Sequence, residues 1–348
     1  MIRVAHLLDD FGMGGVTRAL TLFDEPALAR IASSTVMPIS PDARIAPSIE
    51  ADLVVDHMAL SWKRLAFLSS LRARNPGLRI VHVEHSYTRN FEFSNVRAKT
   101  RFRMMLKLAA SILDTIICVS SAQRDWLVNI VGICDTKVTV IYPWTDQKDL
   151  LSIPPIRQEF GQPIKLLAYG RYAPVKNFAE LITAMRYLPV DLAELTVFGD
   201  GPELRLLQAL AADLPNVHVF GPSNAPGDYL AQCDAVVIPS QYEAFGLVAT
   251  EARMAGRAIL VANVDGLPEQ AGHGGMITPM RTAPEIAEAI RKLSQCDLAM
   301  MGAAGRRSVR SQSAEILLRW CKLIKGEQPD QDTINPGLMG EQAEGAIV

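Results

Sequence analysis

Short runs of β-branched and aliphatic residues recur along the chain: RVAHLL, DLVVD, RIVHVEH, TIICVS and VTVIY, then KLLAYG, ELTVFG, VHVFG, AVVIPS and AILVAN. None alternates cleanly between apolar and polar positions. Runs of this length and kind are expected where helices cover both faces of a parallel sheet. Between them, VTRALTLF, AELITAMRYL and ELRLLQALAADL space their apolar residues three and four apart, as amphipathic helices do. The alternation predicts an α/β fold with parallel sheets. The rhythm resets at LLSIPPIRQEFGQPIK, which holds three prolines and no period, with five candidate strands on either side. Two Rossmann-like, doubly wound domains facing each other across a cleft are therefore expected, because ligands bind outside the carboxyl ends of such strands. The predicted division is residues 1–152 for the first domain and 153–305 for the second. A helix over 306–325 is expected to return toward the first domain. A tail over 326–348, without Lys, Arg or periodicity, is expected to be disordered.

Length and composition agree with two packed domains. The chain has 348 residues, 49% hydrophobic and 21% charged, which excludes an intrinsically disordered protein. A net charge of −2 gives no reason to expect a nucleic-acid partner. Cys118, Cys134, Cys233, Cys296 and Cys321 show no paired spacing, so they read as small apolar residues in a reducing compartment, neither a disulfide framework nor a zinc site. The apolar start MIRVAHLL meets Asp9 and Asp10 too soon for a signal or a membrane span, and the stretch Met104–Val119 is broken by Lys107 and Asp114. A cytoplasmic protein is expected. Charge is uneven, however: eleven Lys or Arg lie between Lys63 and Lys107 against only Glu84 and Glu92. The segment NVRAKTRFRMMLKLAASIL is helical in period, with Arg97, Lys99, Arg101, Arg103 and Lys107 in its first half. It is either a solvated basic helix or a surface for anionic lipid head groups at the inner face of the membrane or for a phosphate-bearing acceptor.

Three strand-to-helix turns could carry chemistry. In DDFGMGGVTRAL, Gly12, Gly14 and Gly15 would let the backbone approach a ligand at the start of a helix. Thr17 stands where a dinucleotide fingerprint needs its third glycine. In AYGRYAPVKNFAELITAM, Arg171 and Lys176 lie between a strand end and a helix start, where cations are disfavoured unless an anion joins them. They would clamp a diphosphate. In SQYEAFGLVATEA, Glu243 and Glu251 flank the start of a helix predicted from about Gly246 to Ala255 and stopped by Gly256. Ser240 and Glu243 fit a capping box, which with an exposed Glu251 would make both acids structural. The other reading is a pocket in which carboxylates accept sugar hydroxyls while helix amides, Arg and Lys hold phosphate.

This combination resembles the family 4 retaining glycosyltransferases, whose two-domain fold is called GT-B. The resemblance is carried by Gly12-x-Gly14-Gly15, Gly170-Arg171 with Lys176, Gly199-Asp200-Gly201-Pro202, Pro239-Ser240 and Glu243 paired with Glu251, and it extends to about Lys325. It implies that Glu243 contacts the donor sugar and Glu251 the nucleotide ribose. It further implies that Arg171 and Lys176 grip the diphosphate, that the amides of Phe245, Gly246 and Leu247 assist, and that Gly14 and Gly15 approach the donor phosphate. His85, at the end of RIVHVEH, aligns with a family histidine near the reacting carbon. Its implied role is a hydrogen bond to the sugar rather than nucleophilic attack.

Two departures stand out. IYPWTD, Ile141 to Asp146, replaces the family's Ile-Pro-Asn-Gly-x-Asp at the domain junction, and Asp265-Gly266 replaces a Gly-Gly before Leu267-Pro268-Glu269. The one Asp-x-Asp, Asp330-Gln331-Asp332, falls in the tail and is rejected as a metal site, so neither metal nor cofactor is expected. The resemblance thus implies a metal-independent hexosyltransferase. It would use a nucleotide-diphosphate sugar as donor and a saccharide or lipid-linked saccharide as acceptor in cell-surface polysaccharide assembly. The alternatives are a sugar-nucleotide 2-epimerase of the same fold and a non-catalytic sugar-nucleotide-binding subunit.

Overall fold

The structure is a computed structural model that describes residues 1–10, 19–156, 161–223, 225–310 and 312–327. The chain divides into two compact units. One comprises Met1–Asp146 together with the last helix from Ser313; the other is Gln147–Gln312. Each is an α/β sandwich around one parallel sheet.

Among the described residues the first unit holds six strands: β1 (Ile2–Leu8), β2 (Ala32–Pro38), β3 (Leu53–Asp56), β4 (Arg79–Glu84), β5 (Thr115–Cys118) and β6 (Val138–Val140). Their order in the sheet is β2-β1-β3-β4-β5-β6 and every pairing is parallel. All strands run the same way, and the order in which they are added switches sides at β1, between β2 and β3. Interior strands such as LVVD of β3 are buried along their whole length, which explains their lack of alternation. Helix Trp62–Arg74 starts on Ser61, whose hydroxyl accepts from the Arg64 amide, and buries Phe67, Leu68 and Leu71 against the sheet. Helix Lys99–Ile112 buries Met105, Leu106, Ala109 and Ala110 and keeps its cations outside.

The second unit holds β7 (Ile164–Arg171), β8 (Ala193–Asp200), β9 (Val217–Phe220), β10 (Ala235–Ile238), β11 (Ala258–Ala262) and β12 (Gly275–Thr278). The order is β12-β11-β10-β7-β8-β9, again all parallel, so this sheet reverses between β7 and β10. That is the switch point where the crossovers on either side diverge and leave a crevice. On the other side of β7, two glycines permit close approach to β8. Gly199, at φ +158°, pairs with Gly170, and a Cβ at Gly199 would lie 1.9 Å from the Gly170 carbonyl oxygen.

The segment expected as one helix over 306–325 is two. Leu298–Arg310 stays with the second unit, where Arg306 donates to the carbonyls of Met254 and Ile153. Gln312–Lys325 belongs to the first unit: Trp320 packs edge-on against Phe23, Arg319 donates to the Val140 carbonyl, and Arg79 donates to that of Leu323. The chain thus leaves the first unit at about Asp146, near the expected linker, and returns to it after Gln312. The glycine turn with Gly14 and Gly15 and the tail after Glu327 lie outside the described residues.

Candidate active site

In the second unit the predicted residues gather at the carboxyl ends of β7 and β10, the two strands beside the switch point. β7 ends in Arg171, which is exposed and has no side-chain partner among the described residues. The loop after it turns through Lys176 to Asn177, which sits in the left-handed region at φ +57° and opens helix Phe178–Ala184. Asn177 donates from Nδ2 to the Met280 carbonyl, and the Gln241 amide donates to the carbonyl of Val175. The first bond ties the loop after β7 to the segment after β12, and the second ties it to the loop after β10. As a result Lys176 Nζ forms an ion pair with Glu243 Oε2, both side chains half-buried. Ser240 Oγ donates to the same carboxylate oxygen at 3.3 Å.

Helix Leu247–Met254 begins at Gly246 with no side-chain cap. The capping box on Ser240 is therefore not formed; the hydroxyl meets Glu243's carboxylate instead. Gly246 has φ +91°, a conformation that favours glycine, and a Cβ there would lie 2.6 Å from Leu267 Cδ2 and would have to displace it. Phe245 is buried beside it.

Glu251 is 1% exposed, which removes the reading of a surface helix residue. Its carboxylate accepts from Tyr169 Oη at 2.6 Å and from Gln147 Nε2 at 3.4 Å. A buried carboxylate needs such donors to remain charged. The structure thus brings Lys176 and Glu243 into contact, anchors Glu251 separately on β7 through Tyr169, and leaves Arg171 open.

Asp265, Tyr169 and Gln147 were not singled out as site residues. Asp265 Oδ2 accepts from the Glu243 amide at 3.2 Å, and the Gly266 amide donates to the Glu243 carbonyl at 3.1 Å. The Asp265-Gly266 departure from the family pattern was the one signal in the sequence.

In the first unit His85 follows β4 directly. Its Nε2 lies 3.1 Å from His57 Nδ1, and His57 Nε2 lies 3.1 Å from His6 Nδ1. Next to this row, His82 Nδ1 bonds Asp56 Oδ2 at 2.9 Å and Nε2 lies 3.5 Å from Glu84 Oε2. Burial works against a charge on His82, but the bonds and charges of Asp56 and Glu84 outweigh it and raise its pKa to about 9. Burial, helped by the His82 charge, pushes His85 down to about 4; burial pushes His6 down to about 3 and His57 well below its ordinary value. One imidazolium therefore stands beside three neutral rings.

The basic helix Lys99–Ile112 exposes Met104 and Leu108, and Phe93 and Trp62 are exposed nearby in sequence or contact. Lys99 Nζ stands 4.9 Å from the Phe93 ring centre and the Arg101 guanidinium 5.5 Å from that of Trp62. Arg103 is spent on Glu92, at 2.6 Å. Among the described residues no helix is long and apolar enough to cross a membrane, and no His, Cys, Asp and Glu side chains group as metal ligands.

Residues 152–308 match the model "Glycosyl transferases group 1" and residues 28–149 match "Glycosyltransferase Family 4". An uncharacterised glycosyltransferase of Methanocaldococcus jannaschii is 25% identical over 70% of this chain and 66% of its own length. A GDP-mannose-dependent alpha-(1-6)-phosphatidylinositol monomannoside mannosyltransferase of Mycobacterium tuberculosis is 28% identical over 60% of this chain and 62% of its own length. The aligned region thus spans just under two thirds of each of these relatives. Among solved structures, Anabaena HepE in complex with UDP-glucose superposes with a TM-score of 0.74 at 19% identity, covering 94% of this chain and all of that one. Sucrose-phosphate synthase from Thermosynechococcus elongatus gives 0.73 at 19%, covering 94% of this chain and 99% of that one. At these identities the likeness concerns the fold, which is GT-B.

Proposed function

The chain belongs to family 4 of the glycosyltransferases, and from that premise we propose that it transfers a hexosyl unit from a nucleotide-diphosphate sugar with retention of anomeric configuration and without a metal ion. The observation that carries this reading is the Lys176–Glu243 pair, set at the switch point of the second sheet next to a helix start that no side chain caps. A diphosphate bound there meets Arg171, Lys176 and the helix N-terminus, which together neutralise it as it leaves. Glu243, released from Lys176 or shared with it, accepts hydroxyls of the donor sugar, and Glu251 accepts those of the ribose. His85 gives a hydrogen bond to the sugar.

The acceptor hydroxyl attacks the anomeric carbon on the face from which the diphosphate departs, through a loose oxocarbenium-like transition state. The departing phosphate oxygen takes the acceptor's proton, so no protein nucleophile is needed. Positioning and electrostatic stabilisation supply the rate enhancement. The acceptor proposed is a lipid-linked saccharide in cell-surface polysaccharide assembly, offered at the cytoplasmic face of a membrane. Arg97, Arg101 and Lys107 with exposed Met104 and Leu108 supply the charge and apolar surface such a position requires.

The test is a panel of nucleotide sugars screened for thermal stabilisation, since a ligand that binds only the folded state raises the midpoint. The stabilising donor is then incubated alone and with lipid-linked saccharides, and the anomeric configuration of the product is read by NMR. The reading requires a new glycoside with the donor's configuration. Inversion removes the retaining mechanism, and a new sugar isomer formed from donor alone replaces transfer with epimerisation.

A further inference from the structure

The row of histidines in the first unit has no counterpart in the proposed reaction, apart from its last member. His6 lies inside β1, 1% exposed, with its ring edge-on to Phe23 at 4.2 Å between centroids. Its Nδ1 lies 3.1 Å from His57 Nε2, and His57 Nδ1 lies 3.1 Å from His85 Nε2. Neighbouring rings are inclined by 29° and 22°, so the nitrogen edges face one another in sequence. The bonds join three separate segments: β1, the residue after β3, and the residue after β4.

A neutral imidazole has one donor nitrogen and one acceptor nitrogen. Two bonds in series therefore allow only two arrangements. Either all three rings carry their proton on Nδ1, or all three carry it on Nε2. The two differ at the ends. His6 Nε2 is buried and has no hydrogen-bond partner among the described residues. A proton there would be an orphaned buried N–H, which native structures avoid more strictly than an unused acceptor. The arrangement with every proton on Nδ1 is the one left. In it His6 donates to His57, His57 donates to His85 Nε2, and His85 keeps its proton on Nδ1, the nitrogen outside the row.

We propose that His6 and His57 are positioning residues that lock His85 in its Nδ1–H tautomer, so that it presents a fixed hydrogen-bond donor to a hydroxyl or phosphate oxygen of the ligand. The row stays neutral because His6 is buried, because desolvation also weighs on the half-buried His57 and His85, and because the His82 imidazolium, held beside Asp56 and Glu84, opposes a second charge. A histidine whose other nitrogen is engaged has its tautomer set by that bond. Free neutral imidazole of histidine prefers the opposite tautomer, so the lock changes the chemistry of His85 as well as its orientation. The use of this donor on the sugar rests on the glycosyltransferase mechanism proposed for the chain; the lock itself does not.

The experiment separates the two. The full chain, labelled with 15N-histidine and free of donor, is studied near pH 7 by long-range 1H–15N correlation, with the six histidines assigned by single substitution. His6, His57 and His85 are each expected as a single Nδ1–H form. His57→Leu is expected to return His85 to a mixture rich in Nε2–H. His57→Asn, whose side-chain amide keeps a donor where Nδ1–H stood, is expected to hold His85 on Nδ1–H. An Nε2–H or averaged His85 in the parent protein overturns the proposal, as does an unchanged His85 in His57→Leu or a released one in His57→Asn. If His57→Leu does not fold, the parent and His57→Asn spectra decide. Transfer kcat/KM is expected to be about tenfold lower in His57→Leu than in His57→Asn, the worth of one hydrogen bond. Released tautomer with equal turnover leaves the lock standing and removes only His85 from the donor site.

Discussion

The Glu243 amide donates to Oδ2 of Asp265 while the amide of Gly266 donates back to the Glu243 carbonyl, so the loop that carries the central acid is clipped from both directions. Asp265 holds this clip from φ +42°, a left-handed backbone that costs a non-glycine residue roughly 1–2 kcal/mol. Asp265→Gly relieves that cost and removes the side-chain half of the clip, leaving the backbone bond from Gly266. The thermal midpoint is expected to stay level or rise, while donor KM rises and kcat falls, together about tenfold. Asp265→Asn keeps an acceptor and tolerates the conformation, and is expected to behave like the parent. Midpoint and steady-state kinetics on the three proteins check this; a Gly variant with parent kinetics denies Asp265 a positioning role.

Arg171 is exposed and free of side-chain partners among the described residues, so its charge serves nothing visible in the fold. Arg171→Ala is expected to lower transfer about 100-fold, as loss of one transition-state charge contact does, while stability moves by no more than about 0.5 kcal/mol. Lys176→Ala is expected to lower transfer similarly, and in addition leaves Glu243 without its cation. Donor turnover beside urea unfolding is the comparison. An Arg171 variant with intact turnover would withdraw the diphosphate clamp.

Tyr169 Oη gives Glu251 its short bond from within β7. Removing it by Tyr169→Phe leaves a buried carboxylate short of a donor, expected to cost the second unit about 1–3 kcal/mol and to weaken nucleotide affinity. Far-UV circular dichroism in urea and nucleotide titration measure the two effects. Unchanged affinity would detach Glu251 from the ribose.

The pH dependence of the first unit follows from its histidines. His6, His57 and His85 bind protons more readily when unfolded, so their contribution is lost as pH falls from about 6.5 toward 4 and 3. His82 is the reverse: its raised pKa stabilises fully below about 6.5, and that contribution is lost as pH rises through about 9. The unfolded chain binds one proton in total on these four rings, as the folded one does, near pH 7, so stability is expected to peak at about pH 7 and fall more steeply on the acid side. All four tryptophans, Trp62, Trp126, Trp144 and Trp320, belong to the first unit, so their fluorescence reports its unfolding alone. A midpoint that is flat between pH 5 and 9 contradicts one charged ring among three neutral ones.

Membrane contact has its own check. Sedimentation with vesicles containing anionic lipid is expected at low salt and to weaken as salt is raised. Replacing Arg101 and Lys107 with Glu is expected to abolish it without affecting transfer to a soluble acceptor. Absence of binding at low salt removes the membrane surface from the proposal.

Ten of the strands were legible because interior parallel strands are continuous apolar runs. Two edge strands, β6 and β9, still carried apolar runs; the two that were not legible, β2 (ASSTVMP) and β12 (GMIT), are the other two edges. β2 is exposed along most of its length, so no hydrophobic run marks it. Helix Leu247–Met254 was readable from its flanking glycines, and the structure puts the expected start and stop within a residue or two. The contact of Lys176 with Glu243 depends on β7 and β10 being neighbours, which is topology rather than local pattern. The histidine row was invisible for the same reason. His6, His57 and His85 are separated by 51 and 28 positions, and only the pairing of β1 with β3 and of β3 with β4 lines them up. Gly14 and Gly15, read from the sequence as a donor-phosphate turn, fall outside the described residues.

The route of the chain between its two units bears on how it is made. Gln147–Gln312 is one uninterrupted stretch, whereas the other unit is completed only by the helix that follows it. A ribosome emitting this chain releases every part of the second sheet before it releases Trp320 to close over Phe23, or Arg319 to reach the Val140 carbonyl. The first sheet to begin is thus the last to be sealed, and a nascent chain stalled before Gln312 carries a finished second unit and an unfinished first one.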